Sequence, residues 1–111
     1  MTPQEYRELA LSMPEAQQSS HSDVTDFRIK RKIFATLRAV DHRAAVKLQP
    51  ADQKFMMEAA PSVFEPVKGA LGEKGWTLLH LERADADTVR HAIGTAWRTV
   101  APKSVVKRHV L

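Results

Sequence analysis

Three side chains that could exchange protons or hold a metal ion lie close together in the sequence, namely His21, Asp23 and Asp26. A histidine beside two carboxylates supplies a base that titrates near neutral pH and two oxygen ligands. The same residue types in a polar, turn-rich stretch also serve as capping groups, which is the simpler interpretation. None of the five histidines forms an H-x-H or H-x-x-x-H pair, a spacing typical of metal ligands. We therefore expect no metal, no cofactor and no enzymatic activity.

A second candidate is the glycine-rich segment 69–75, which contains three glycines and Lys74. Loops of this kind cradle phosphate when they join a strand to a helix and end in Gly-Lys-Ser/Thr. This segment lacks that ending and is expected to lie inside a hairpin, so glycines that permit a turn explain it more simply. The two tryptophans, Trp76 and Trp97, are expected in the core or lining a groove.

Positive charge is concentrated in two blocks. The 111 residues contain 17 Lys and Arg against 13 Asp and Glu, a net charge of +4. Residues 28–47 alone carry +6 and residues 98–111 carry +4, whereas residues 1–27 carry −4. Such blocks favour an acidic partner such as nucleic acid, although Lys and Arg also solubilise strand edges.

Apolar and polar residues alternate over three short segments between residues 27 and 48, which predicts a half-buried antiparallel meander. Tight turns are expected at 30–32 and 40–42. The side chains predicted to point inward are Phe27, Ile29, Ile33, Ala35, Leu37, Ala44, Val46 and Leu48. Those predicted to point outward are Arg28, Lys30, Phe34, Thr36, Arg38, Arg43 and Lys47.

The outward set is basic and contains one aromatic residue, Phe34. Cations on adjacent strands can follow a phosphate backbone while an aromatic ring meets bases or sugar. Alternatively, helices cover part of this face and Phe34 belongs to a second layer of core. The predicted nucleic-acid site comprises Arg28, Lys30, Arg31, Lys32, Phe34, Arg38, Arg43 and Lys47, joined by Lys103, Lys107 and Arg108.

Helical patterns flank the meander. Thr2 and Glu5 have the spacing of a capping box, and Pro14 ends the first helix. A short helix is expected between Pro50 and Pro61.

The remaining elements complete an α+β order. A short edge strand is expected at 17–21, a hairpin with strands at 64–68 and 76–81, and a long helix from the acidic stretch 85–87. The basic tail 103–111 is either a further turn of helix or disordered. The order α, three or four strands, α, two strands, α favours one α+β domain over residues 1–111, with an antiparallel sheet packed against helices.

Composition removes several classes of protein. The absence of cysteine excludes disulfide scaffolds, thiolate zinc sites and cysteine nucleophiles. No apolar run approaches the roughly 20 residues of a membrane-spanning helix. Acidic residues near the N-terminus are not typical of a signal peptide, so we expect a cytoplasmic protein without a membrane partner.

Five motifs occur in order along nearly the whole chain at the spacing of a known family. They are Asp26-Phe27-Arg28-Ile29; Lys32-Ile33-Phe34-Ala35-Thr36-Leu37; Val46-Lys47-Leu48; Gly75-Trp76-Thr77 followed by Leu81; and Ala96-Trp97 followed by Ala101-Pro102-Lys103. With them the chain resembles the MmcQ/YjbR family of small bacterial proteins. It departs from the family pattern between His21 and Asp26 and at Leu71. These departures affect the shape of two loops and not the fold.

The resemblance implies an α+β fold like that of type III secretion chaperones. It also implies similarity to the double-wing DNA-binding domain of a phage transcription activator, on which the family's DNA-binding label rests. No catalytic residues are implied.

Two functions follow as hypotheses. The first is binding of DNA, with RNA as an alternative, through the basic face. The second is a protein-interaction or chaperone-like module that uses apolar strand surface around Phe34, Trp76 and Leu78. The oligomeric state is left open.

Overall fold

The computed structural model describes residues 1–109, which form a six-stranded antiparallel sheet and five helices. This confirms the predicted α+β fold. The helices are α1 (Pro3–Ser12), α2 (Pro50–Ala59), α3 (Ala70–Glu73), α4 (Ala86–Val100) and α5 (Lys103–Arg108). The strands are β1 (Ala16–His21), β2 (Val24–Ile29), β3 (Lys32–Arg38), β4 (Arg43–Lys47), β5 (Phe64–Pro66) and β6 (Trp76–His80).

Local sequence sets several of these boundaries. Thr2 and Glu5 form the expected capping box at the start of α1, each side chain bonded to the other's backbone N–H. Asp85 accepts from the N–H of Thr88 and caps α4, as the acidic stretch predicts. His42 adopts a left-handed conformation before β4 begins.

The sheet has the order β1-β2-β3-β4-β6-β5. The first four strands form the predicted meander with a preceding edge strand, and β6 inserts between β4 and β5. Side chains of one face, here called the covered face, pack in one core cluster with α1, α2, α4 and α5. Along β6 buried and half-buried residues alternate, so the opposite face keeps contact with solvent. That second face is called the open face.

The covered face is filled by large apolar side chains. Trp97 of α4 is fully buried and donates its indole N–H to the Pro14 carbonyl at 3.0 Å. Tyr6 of α1 packs edge-on against Phe27, with ring centres 6.1 Å apart, and donates its hydroxyl to the Ala45 carbonyl at 3.3 Å. Burial raises the pKa of the Tyr6 phenol.

A β-bulge corrects the predicted alternation in β3. Phe27 pairs with Ala35 but its neighbour Arg28 pairs with Ile33, so Phe34 has no partner on β2. A bulge sets two residues of one strand against one of the other and breaks the period of two. The outward placement of Phe34 is therefore wrong, because its side chain is fully buried. The inward placement of Ile33 is also wrong, because it shares the face of Arg28 and is half-buried.

The glycine-rich segment is a tight structural loop. It contains α3, and a Cβ on Gly72 would lie 1.8 Å from the Val67 carbonyl oxygen. Gly75 has φ +108°, and a Cβ there would lie 1.8 Å from the Leu48 carbonyl oxygen. Close backbone approach thus accounts for two of the glycines without a phosphate.

The part of the C-terminal basic block that the structure describes is folded against the body of the protein. Residues Lys103–Arg108 form α5, and its Val105 is buried in the core. The helical alternative for this tail is thus correct as far as residue 108, while residues 110 and 111 of the predicted tail lie outside the described residues.

Candidate nucleic-acid interface

The predicted cations do not form one continuous face. Four of them, Arg28, Arg38, Arg43 and Lys47, share the open face through the strand register. The others lie in the β2–β3 turn, at the first residue of β3 (Lys32) or on α5, and Phe34 lies in the core. The candidate interface therefore divides into two surfaces.

On the open face, Asp26 neutralises its neighbours. Its carboxylate is almost fully buried, 3.3 Å from the Arg28 guanidinium and 3.6 Å from Nε2 of His21. Residues two apart on a strand share a face, which is why Asp26 and Arg28 meet. The Nε atom of Arg28 and the hydroxyl of Ser19 are buried without a partner among residues 1–109.

The other cations of the open face differ in their partners. Arg38 contacts Asp23 at 3.1 Å and Asp41 at 3.8 Å. Lys47 donates to the Lys74 carbonyl. Only Arg43 has neither an ion pair nor a side-chain hydrogen bond in the described part of the chain. Much of the charge predicted for this face is therefore compensated locally.

The open face also holds Trp76, an aromatic residue that the sequence analysis named for the protein-interaction hypothesis but not for the nucleic-acid site. Trp76 on β6 lies opposite Lys47 in the register and is half-buried. Leu78, two residues further on, lies opposite Ala45. The alternation within residues 76–80 was the available signal, because it places Trp76 and Leu78 on one face.

The second surface, here called the basic end, joins both basic blocks. The carboxylate of Glu15 lies 2.8 Å from Arg108, 3.1 Å from Nε2 of His109 and 3.4 Å from Nζ of Lys30. The hydrogen bond from Arg108, with those from His109 and Lys30, lowers the pKa of Glu15 to about 2. One carboxylate thus brings the β2–β3 turn next to α5, which sequence spacing could not show.

Four further cations at the basic end face solvent. They are exposed and have no ion pair or side-chain hydrogen bond within residues 1–109, namely Arg31, Lys32, Lys103 and Lys107. Two-residue turns and short helices project such side chains outward. The basic end therefore combines Lys30, Arg31, Lys32, Lys103, Lys107 and Arg108 with a single acid, Glu15.

The three residues of the acid–base candidate, His21, Asp23 and Asp26, do not form one cluster. His21 faces Asp26, whereas Asp23 pairs with Arg38. No group of three or more His, Asp or Glu side chains within residues 1–109 is arranged to hold a metal ion. No helix in the same range is long and apolar enough to cross a membrane.

A shallow groove lies on the helical side of the protein. One cavity of about 410 Å³ and an adjoining one of about 320 Å³ lie between α2 and α4 and share Phe55 and His91. Phe55 is 65% exposed.

Comparisons with known proteins agree with the fold. A family model described as YjbR matches residues 11–99. The crystal structure of Deinococcus radiodurans protein DR2400, described by the family-model domain DUF419, is similar with a TM-score of 0.79 and 17% identity. The match covers 96% of this chain and 86% of that one, and at this identity it shows the shared fold alone. No curated protein matches the sequence.

Proposed function

We propose that this chain, which belongs to the YjbR family, binds nucleic acid, with duplex DNA as the preferred partner, through the basic end. The exposed cations of the β2–β3 turn and of α5 would contact phosphates. The proposal keeps the predicted partner and moves the principal contacts away from the strands of the meander.

The meeting of two basic blocks around Glu15 is the observation that supports this proposal. Two of the six Lys and Arg side chains, Lys30 and Arg108, contact the Glu15 carboxylate, and the other four have no ion pair among residues 1–109. Surplus positive charge of this kind attracts phosphate backbones, because each contact releases condensed counterions. The local ion pairs of the open face leave much less charge available there.

The open face would make a secondary contribution to nucleic-acid binding. Arg43 has no ion pair in the described part of the chain, and Lys47 lies opposite the half-buried ring of Trp76. An aromatic ring next to cations is suited to stacking on an unpaired base. Binding of single strands would therefore depend on Trp76 more than binding of duplex does.

Salt-dependent binding tests the proposal. Fluorescence anisotropy is measured with random duplex DNA, single-stranded DNA and RNA, each at several salt concentrations. If about four cations contact phosphate, log K should fall with log salt at a slope of about −3.6. An affinity that ignores salt would contradict the proposal.

Matched charge reversals locate the surface. Lys32→Glu with Lys107→Glu should weaken binding at least tenfold and reduce the slope by about 1.8. Lys54→Glu with Lys68→Glu makes the same change in net charge at exposed positions outside the basic end. An equal loss in both double variants would show that net charge, not the basic end, is responsible.

A protein-interaction module is the second candidate. It is favoured by the half-buried Ile33, Trp76 and Leu78 on the open face, whereas Phe34 is buried and takes no part. The Trp76→Ala variant separates the two functions. Loss of binding to a protein partner with duplex binding unchanged would support the protein-interaction function.

A further inference from the structure

The two edges of the sheet differ in a way that bears on self-association. β5, at one edge, has three residues and ends in Pro66. β1, at the other, has six residues, all of them paired with β2. Each edge strand contacts a helix, α2 for β5 and α1 for β1, so the edges differ in length and sequence and not in having a helix nearby. No strand lies on the outer side of β1 in the described part of the chain.

β1 presents unused backbone groups along this edge. His21 pairs with Val24 across a two-residue turn, and such a closing pair is hydrogen-bonded. Hydrogen-bonded pairs alternate along the ladder, so Ala16, Gln18 and Ser20 direct their backbone groups outward. The N–H of Ala16 bonds to the Met13 carbonyl and not to β2, which agrees with this pattern. Ala16 therefore offers only its carbonyl to a second chain, whereas Gln18 and Ser20 offer both backbone groups.

β1 also lacks the features that keep edge strands apart. Its sequence, AQQSSH, contains no Lys, Arg or Pro, and its register with β2 shows no bulge. Natural edges are commonly protected by such residues or by a covering element. Gln17, Gln18, Ser20 and His21 are all exposed.

We propose that β1 pairs antiparallel with β1 of a second copy, which would extend the sheet across a two-fold axis. Antiparallel pairing sets opposite ends of β1 side by side. The Ala16 end adjoins the basic end, whereas the His21 end adjoins Asp23, which pairs with Arg38 but keeps 52% of its side chain exposed. Each copy's cations therefore approach the other copy's carboxylate, while the neutral side chains of β1 face one another without repulsion.

The two-fold axis restricts the register. Because both copies keep the same face toward the helices, paired residues must have the same parity in the sequence. Outward backbone groups then favour Gln18 opposite the same residue of the second copy and Ala16 opposite Ser20. In this register Gln18 and the second copy's Gln18 exchange two backbone hydrogen bonds.

Cross-linking tests the contact directly, because the chain contains no cysteine of its own. A Gln18→Cys variant, free of nucleic acid, should form disulfide-linked dimers on mild oxidation. Ser62→Cys, at an exposed loop position, is the matched control and should form few. Equal rates of cross-linking in the two variants would overturn the proposal.

Sedimentation of the unmodified chain provides the second measurement. In this register five residues of each β1 strand pair, which is a small contact, so a weak dimer is expected at concentrations of about 0.1–1 mM. Gln18→Pro removes an outward N–H, and Ser20→Lys adds a charge at the edge, so each variant should remain monomeric with an unchanged circular dichroism spectrum. A wild-type chain that stays monomeric, or a dimer that survives both variants, would overturn the proposal. Neither outcome depends on nucleic-acid binding.

Discussion

The side chains on the two faces of the sheet are stabilised by different interactions. On the covered face, Phe27, Phe34 and Trp97 lose all contact with solvent and are held by packing. On the open face, Asp26 and Arg28 meet as an ion pair among half-exposed neighbours. Stability is therefore concentrated on the covered face, since burying a large apolar side chain stabilises more than a partly exposed ion pair.

This difference separates the residues available for function from those required for folding. Side chains of the open face can change without opening a cavity in the core. The basic end lies at the margin of both faces, where the β2–β3 turn meets α5. Four of its exposed cations, Arg31, Lys32, Lys103 and Lys107, serve neither the core nor an ion pair within residues 1–109, which leaves them available for a partner.

The largest effect should come from the residue that the bulge moves into the core. Phe34→Ala should lower the free energy of unfolding by about 3–5 kcal/mol, because it removes a fully buried ring. Ile33→Ala, one residue away on the open face, should cost clearly less. Urea denaturation of the two variants measures the difference, and equal losses would mean that the bulge does not place these side chains on opposite faces.

A smaller effect is expected within the open face. Asp26→Asn should cost about 1–2 kcal/mol, because the carboxylate is nearly buried and faces both Arg28 and His21. Asp23→Asn weakens a more exposed pair with Arg38 and should cost about 0.2–1 kcal/mol. Chemical denaturation at neutral pH compares the two, and a reversed order would contradict the assigned burial.

The smallest effect concerns the basic end and depends on pH. The pKa of Glu15 is lowered to about 2 in the folded chain, from an ordinary value of 4.5. Its stabilisation is therefore complete above about pH 4.5 and is lost as the pH falls toward about 2. Wild type should melt at a higher temperature than Glu15→Gln at pH 7, and the gap should close by about pH 2. A gap that is constant with pH would rule out this role for Glu15.

Much of the fold is predictable from short-range patterns. The capping box at Thr2 and Glu5, the acidic start of α4 and the alternation in β2, β4 and β6 all act within a few residues. The bulge in β3 is not predictable in this way, because a change of register depends on the pairing of β2 with β3. A prediction made from one strand alone therefore reverses Ile33 and Phe34.

The candidate site was predictable in composition and not in arrangement. The excess of cations in residues 28–47 and 98–111 is visible in the sequence. Their partners are not, because Arg108 lies 93 residues from Glu15, and Asp23 reaches Arg38 only through the fold. Tertiary contacts decide which charges remain available.

The glycine-rich loop has a consequence for how sequences of relatives are to be understood. Gly72 and Gly75 each lie where any side chain would overlap a carbonyl oxygen of a neighbouring segment. Retention of glycine at either position would follow from steric exclusion whether or not the loop ever meets a ligand. Invariance at these two positions would thus carry no information about phosphate binding. Variation at the exposed cations of the basic end, in contrast, would bear on phosphate binding there.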